Sequence, residues 1–376
     1  GRSGECAAEL PLRPPPIGGR LRRAESSTGR FDVSRLTWRR TGWAVAAALA
    51  SALVAAPGDA DAQVQVAPGL RVEVMATGLP RPMHLEFDAA GWLVVVSNGW
   101  RGDAAAEIYR LDLRGAPLDA SRAPRVVLPF AEGPRKVAFG SLAVDPRSGD
   151  LFLGEENGNR IYRYTSPGRL ALFGIGLNHL VGGSALAFDA KGLLAVLDYA
   201  SPEAQLRSEA PPPPGLDALA GDAYHGPLIL RLDPDDDVPI PRRLDLVAPV
   251  FPRRPAPRPG VEPLFRLVSV AAAPAGHLVV LSSIGEVLTL GSDGWLRRLA
   301  RLPSGHYHRT HLAVGPDGSI YVNSGFHIRV LYRVSPDGRV STIARDLADP
   351  AGIAVDRAGD VYVSEGVHHR VIRISP

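Results

Sequence analysis

Cysteine is almost missing from this chain: among 376 residues there is one, Cys6. Beyond that position there can be no disulfide, no thiolate metal ligand and no cysteine nucleophile. Lysine is nearly as scarce, with only Lys136 and Lys191, so arginine carries the rest of the positive charge. No apolar run reaches the roughly 20 residues a membrane-spanning helix needs. A charge bias of one sign is lacking too. Residues 1–62 hold nine arginines against six acids, which leaves 33 of the 42 basic and 33 of the 39 acidic residues in 63–376. Overall charge therefore gives no support for a nucleic-acid-binding or anionic-membrane-binding face. No Gly-rich phosphate loop, G-x-S-x-G elbow or H-E-x-x-H motif occurs. What is plentiful is glycine, 40 residues, and proline, 35, the composition of a protein with many turns.

Residues 35–62 read as a cleavable export signal. Arg35, Arg39 and Arg40 form a basic start, Trp43 to Ala56 an apolar run of signal length, and Ala60-Asp61-Ala62 a small-x-small cleavage site that makes Gln63 the mature start. An uncleaved anchoring helix is the alternative. Thr41-Gly42-Trp43 is a poor continuation for twin-arginine export, so general secretion is expected, with no membrane span after cleavage. No cysteine stands at the cleavage site to take a lipid. Residues 1–34 precede the signal and are set aside as a disordered extension or misassigned start. The expected mature protein, 63–376, is secreted or periplasmic.

Internal repetition dominates that mature part. SLAVDPRSGDLFLGEENGNRIYRYTSPG from Ser141, HLAVGPDGSIYVNSGFHIRVLYRVSPDG from His311 and GIAVDRAGDVYVSEGVHHRVIRISP from Gly352 share one grammar. Each is a short apolar strand, a Gly-containing hairpin, a second strand, a looser loop and a third strand. The hairpin glycines are Gly91, Gly149, Gly192, Gly276, Gly318 and Gly359, and six turns imply six blades of a β-propeller. Fourth strands are PRVVLPF, RLALFGI, RRLDLV, WLRRLA and RVSTIA. The sixth blade lacks one of its own, so strand 70–76 is expected to pair with 370–375 and close the ring, which removes an open sheet edge. The prediction is an all-β, six-bladed propeller with four-stranded blades, resembling the NHL-repeat superfamily. Two Pro-rich insertions, 199–226 and 248–263, are expected over one face, as a lid or as disordered loops.

Of ten histidines, eight fall in the loops of that same face or at adjacent strand ends: His84, His179, His306, His308, His311, His327, His368 and His369. Histidine is the commonest metal ligand and a general base near neutral pH. Aligned on the hairpin glycines, the innermost strands begin with His84, Ser141, Ala185, Ser269, His311 and Gly352. Two residues on stand Glu86 and then five alanines: 143, 187, 271, 313 and 354. A carboxylate among crowded alanines must be paired, hydrogen-bonded or metal-bound. Either an arginine pairs with Glu86, or Glu86 is an acid facing the central channel beside His84 and His311. Glu155, Asp198 and Glu365, six residues after their glycines, are expected to brace the next loop. The run His306 to His311 is dense in imidazole, but on an extended segment His306 and His308 share a side and His311 faces the other. Asp233-Pro-Asp-Asp-Asp237 has calcium-loop spacing at its start only and reads as a solvated turn.

Three stretches resemble the glucose/sorbosone dehydrogenase family of soluble quinoproteins. They are Pro68 to Leu79, Leu228 to Asp235 with Pro239, and His308-Arg309-Thr310-His311-Leu312 through Gly318. The resemblance implies pyrroloquinoline quinone (PQQ) and calcium as cofactors and an aldose- or sorbosone-type substrate. It makes His308 the base that takes the sugar-hydroxyl proton, with Arg309 beside it. Where that family has Gly-Arg-Leu this chain has Thr310-His311-Leu312. The SMP-30/gluconolactonase family, metal-dependent hydrolases, shares the fold. Its ligand-bearing stretches correspond here to Pro82-Met83-His84, Arg309-Thr310-His311 and Pro350-Ala351-Gly352, and none keeps a ligand. The remaining alternative is a non-catalytic propeller that binds a small molecule, a glycan or a protein partner on its loop face.

Overall fold

The structure, a computed structural model, describes residues 63–98, 106–128, 138–155, 160–165, 168–174, 184–200, 226–235, 267–291, 296–303, 305, 307, 310–323 and 329–376. Both the export segment and the preceding extension lie outside these residues. So do His179, His306, His308, Arg309, His327, the bodies of the two Pro-rich insertions and the RRLDLV strand.

Six antiparallel sheets follow one another along the chain. The first blade runs Pro82–Phe87, Leu93–Ser97, Glu107–Leu111 and Arg125–Val127 from the inside outwards. The second repeats this with Phe139–Val144, Leu151–Glu155, Ile161–Thr165 and Arg169–Gly174. Three strands of the third blade are described, Leu186–Phe188, Leu194–Ala200 and Gly226–Leu232. Its outer pair extends to Ala200 opposite Gly226, so the first insertion hangs from the ends of a regular ladder. The fourth and fifth blades begin with Leu267–Ala272 and Leu312–Val314, and the sixth with Pro350–Val355. These innermost strands pack in chain order around an axis, the sixth against the first.

The hairpin glycines explain why six short blades form. All six lie at φ between 75° and 92°, a left-handed conformation that residues with a Cβ rarely adopt. In four hairpins an aspartate starts the turn, and its carboxylate accepts a backbone N–H of the turn, as Asp88 does from Trp92 at 2.9 Å and Asp189 from Lys191 at 2.8 Å; in the fifth blade the turn starts at Gly315 and Asp317 within it accepts the Ser319 N–H. Second strands are buried on both faces, which is why Leu93-Val94-Val95-Val96 is a continuous apolar run. Leu93 and Val95 pack with Ala354 and Tyr362 of blade six, while Val94 and Val96 pack with Leu142 and Leu153 of blade two. Apolar cores therefore lie between neighbouring blades. Each fully buried Leu or Val contributes roughly 1.5–3 kcal/mol.

Ring closure is as the repeat requires. Arg71–Thr77 pairs antiparallel with Arg370–Ser375, with Arg71 opposite Ser375 and Val74 opposite Ile372. An ion pair between Arg373 and Glu73 crosses the seam, and Arg71 Nε donates to Ser375 Oγ at 3.2 Å. Two additional short strands were not foreseen. Gln65–Val66 pairs onto the outer edge of blade five, and Leu118–Asp119 reaches from blade one to run parallel with Ala76 and Thr77 of blade six.

Candidate functional site at the propeller axis

Several innermost strands are irregular just before they reach the axis. The register shifts between Pro82 and His84, Phe139 and Ser141, Leu267 and Ser269, and Pro350 and Ile353. Such bulges re-aim the side chain that follows. In blade one that side chain is His84, and its ring meets the ring of His311, two blades away, with centroids 4.7 Å apart and planes tilted by 54°. The position between them in ring order is Gly352. A Cβ there would come within 2.8 Å of the Leu85 backbone nitrogen, so only glycine lets blades six and one approach this closely, and it puts no side chain between the imidazoles.

The rest of this axial layer is held by polar side chains that stitch one blade to the next. Ser141 Oγ accepts the Ala185 N–H and Ser269 Oγ the Leu312 N–H, each at 3.0 Å. Asn323 accepts the His311 N–H through Oδ1 at 3.0 Å and donates from Nδ2 to the Ala351 carbonyl. Asn98 makes the same kind of clamp, accepting from the Phe139 N–H at 3.0 Å and donating to its carbonyl at 2.9 Å. Neither asparagine was singled out from sequence. Each lies one residue to either side of the aligned position at the second strand's end.

Ser97 Oγ and Thr310 Oγ1 are buried without a hydrogen-bond partner among the described residues, and so are the two imidazole atoms, Nδ1 of His84 and Nδ1 of His311. Leaving such a group unpaired costs about 1–3 kcal/mol. The side chains are 4% and 3% exposed. Burial pushes the His84 imidazole well below its ordinary range, with the neighbouring His311 adding to this and a backbone hydrogen bond at Gly140 opposing it. Burial alone brings His311 down to about 4. Both rings are therefore neutral at pH 7, each with one N–H donor and one basic nitrogen.

Glu86 lies two residues further along the strand than His84. Its Oε2 accepts the Val144 N–H at 3.1 Å, and among the described residues no arginine pairs with it. Burial raises its carboxyl to about 8, more than the Val144 hydrogen bond lowers it, so it is protonated at neutral pH.

The other sequence candidates lie away from this cluster. Glu365 is fully buried and braces a loop: Oε1 accepts the Ala348 N–H at 2.7 Å and Oε2 the Arg370 Nε–H at 2.6 Å. Glu155 and Asp198 are buried at the corresponding strand ends of blades two and three. His368 and His369 sit in the blade-six loop, where His369 Nδ1 accepts the Arg81 N–H at 3.3 Å. Asp233 and Asp235 are exposed on a turn, with Asp235 3.3 Å from Arg147. No group of three or more potential metal ligands occurs among the described residues, and no helix there is long and apolar enough to cross a membrane.

An NHL-repeat profile matches residues 347–374, the closing blade. No curated protein matches the sequence. Among solved structures, the PQQ domain of pyranose dehydrogenase from Coprinopsis cinerea superposes with a TM-score of 0.55 at 13% identity, covering 84% of this chain and 97% of that one. A gluconolactonase of Xanthomonas campestris gives 0.52 at 19%, covering 82% and 90%. Virginiamycin B lyase of Staphylococcus aureus gives 0.50 at 12%, covering 84% and 100%. At these identities the likeness establishes architecture alone. The chain is a six-bladed β-propeller that carries an NHL repeat in its closing blade.

Proposed function

We propose that this chain is an exported propeller that binds a neutral, hydroxyl-bearing small molecule of the sugar class at the loop-face mouth of its axis. It acts on that molecule by proton transfer. The observation that carries this reading is the pair of buried, neutral imidazoles, His84 and His311, whose Nδ1 atoms have no partner among the described residues. A neutral ring offers a basic nitrogen or an N–H to a ligand hydroxyl, and the low polarity around it strengthens that contact. A neutral ligand suits the layer, because none of its six described residues carries a charge at pH 7. Two relatives in fold are named for sugar chemistry, the pyranose dehydrogenase domain and the gluconolactonase, which agrees with this class of ligand.

The quinone implied by the sequence resemblance is a different matter. PQQ carries three carboxylates, and a site for it needs cations and calcium ligands. The described axial residues are two neutral imidazoles, two serines, a glycine, alanines and one protonated carboxyl. They do not fit that group, and His308 and Arg309, to which the resemblance gives the chemistry, lie outside the described residues. The reading therefore stops at binding and proton transfer by His84 and His311.

Residues 63–376, titrated calorimetrically with neutral aldoses and aldonolactones, are expected to bind at least one of the two classes. His84→Gln and His311→Gln should each weaken that binding by about tenfold or more, the worth of one good polar contact. No heat with any sugar or lactone, or binding that ignores both substitutions, overturns the reading.

A further inference from the structure

Outer strands, not innermost ones, wall a second concavity. Blade four ends on Leu296–Arg301, and blade five places Leu331–Val334 and Val340–Arg345 on its outer side. Between them lies an open cleft of about 470 Å³, within the size range of small-molecule sites. Leu302, Pro303 and Val340 supply apolar lining, and Tyr332 supplies an aromatic ring. The chain around the cleft is fixed. The Leu302 N–H donates to the Gly285 carbonyl at 2.8 Å, and the buried Tyr307 donates its hydroxyl to the Pro303 carbonyl at 2.5 Å. Tyr307 and Tyr332 share a hydrogen bond. Burial raises the Tyr332 phenol, with the Arg345 charge opposing, so this side chain is neutral at pH 7.

Charge sets the cleft apart. Arg301 lines it and is exposed. Arg345 reaches it from the end of its own strand: Nη2 donates to Thr342 Oγ1 at 3.5 Å, and the guanidinium charge acts on the Tyr332 phenol. Most described arginines are paired with a carboxylate, as Arg110, Arg163 and Arg370 are. Among the described residues no carboxylate pairs with Arg301 or with Arg345. Glu286 stands opposite Arg301 in the ladder but pairs with Arg298 at 3.3 Å, and Asp337, in the adjoining hairpin, pairs with Arg339 at 3.5 Å. Two like charges at one cleft repel each other, and an anion between them removes that cost.

We propose that this cleft binds a small hydroxylated anion, a carboxylate, sulfate or phosphate group on a sugar or polyol frame, held between Arg301 and Arg345. A guanidinium presents paired N–H donors that match the oxygens of such a group. Thr342, which accepts from Arg345, keeps its own hydroxyl proton to give to the same anion. The apolar lining and the Tyr332 ring take the carbon frame. The cleft shares no residue with the axial imidazole layer, so either site can fail without the other.

Calorimetric titration of the protein with glucuronate, a glucose sulfate and a glucose phosphate, beside neutral glucose and inorganic phosphate, tests this. At least one charged sugar is expected to bind about tenfold or more tightly than glucose and than inorganic phosphate, with affinity falling as salt is raised. Arg301→Gln and Arg345→Gln should each weaken that binding by about tenfold or more, the worth of a charge-assisted hydrogen bond. Arg339→Gln, which removes a charge already paired with Asp337, should leave it unchanged. Melting curves of the variants check that these exposed substitutions leave the fold intact. Preference for none of the charged sugars over glucose overturns the proposal. So does charged-sugar binding that survives both arginine substitutions, or that is lost in His84→Gln, since the ligand then sits at the axis. Inorganic phosphate binding as tightly as every charged sugar overturns it too, because the cleft then holds an ion alone.

Discussion

Glu86 and the two axial imidazoles pull stability in opposite directions along the pH scale. His84 and His311 titrate below 6.5 in the fold, His311 near 4, so an unfolded chain takes up their protons first and stability falls as pH drops below 6.5. Glu86 is the reverse. Its carboxyl rises from 4.5 to about 8 on folding, so the fold holds a proton that the unfolded chain has released, and stability falls as pH climbs through that window. Two imidazoles outweigh one carboxyl on the acid side, and Glu86 acts alone on the alkaline side. These three groups therefore place maximum stability near pH 6.5. Denaturant melts at pH 5, 6.5 and 8 should show that maximum. Glu86→Gln should flatten the alkaline decline, gaining on the order of 3 kcal/mol over the parent at pH 8. An alkaline limb unchanged in the variant would contradict the burial of Glu86. Sequence alignment exposed this residue because it breaks a column of alanines. It left open whether an arginine or the channel would satisfy it, because a backbone donor such as Val144 N–H has no side-chain signal to read. The meeting of His84 with His311 was within reach as two entries to one axis, yet its closeness depends on Gly352, whose role appears only when blades are packed.

Among the elements, regular blades were legible and their attachments were not. A strand of five or six residues with alternating or continuous apolar character and a Gly turn carries a period that sequence reveals. Gln65–Val66 and Leu118–Asp119 are two residues each, too short for any period, and they are specified by what they cover. Gln65–Val66 shields the outer edge of blade five, with Ala67 N–H donating to the Ile343 carbonyl at 2.9 Å and Val64 buried beside it. An uncovered edge is a template for association with other chains. A chain starting at Gly69 should keep the ring but lose roughly 2–3 kcal/mol, which for a protein of this size lowers Tm by about 3–5 °C. It should also form oligomers in light scattering. An unchanged Tm and a monodisperse truncated protein would show that this strand adds nothing.

For the molecule as a whole, stability is a property of the closed circuit. Apolar clusters lie between adjacent blades, so every blade needs two neighbours, and the strand Arg71–Thr77 on Arg370–Ser375 completes the sixth blade where it packs against the first. Removing residues 367–376 should abolish cooperative unfolding in calorimetry, because blade six then keeps two strands and both of its interfaces are open. A cooperative transition in that variant would mean that the remaining blades stand alone. The seam also imposes an order in time. Its two strands are about 300 residues apart in sequence, and loop closure over that span is slow. During vectorial synthesis, blades one to five have all their residues before the seam's second half emerges. Until then Arg71–Thr77 waits without its partner, so an interrupted chain displays an unsatisfied strand that marks it for chaperones and proteases.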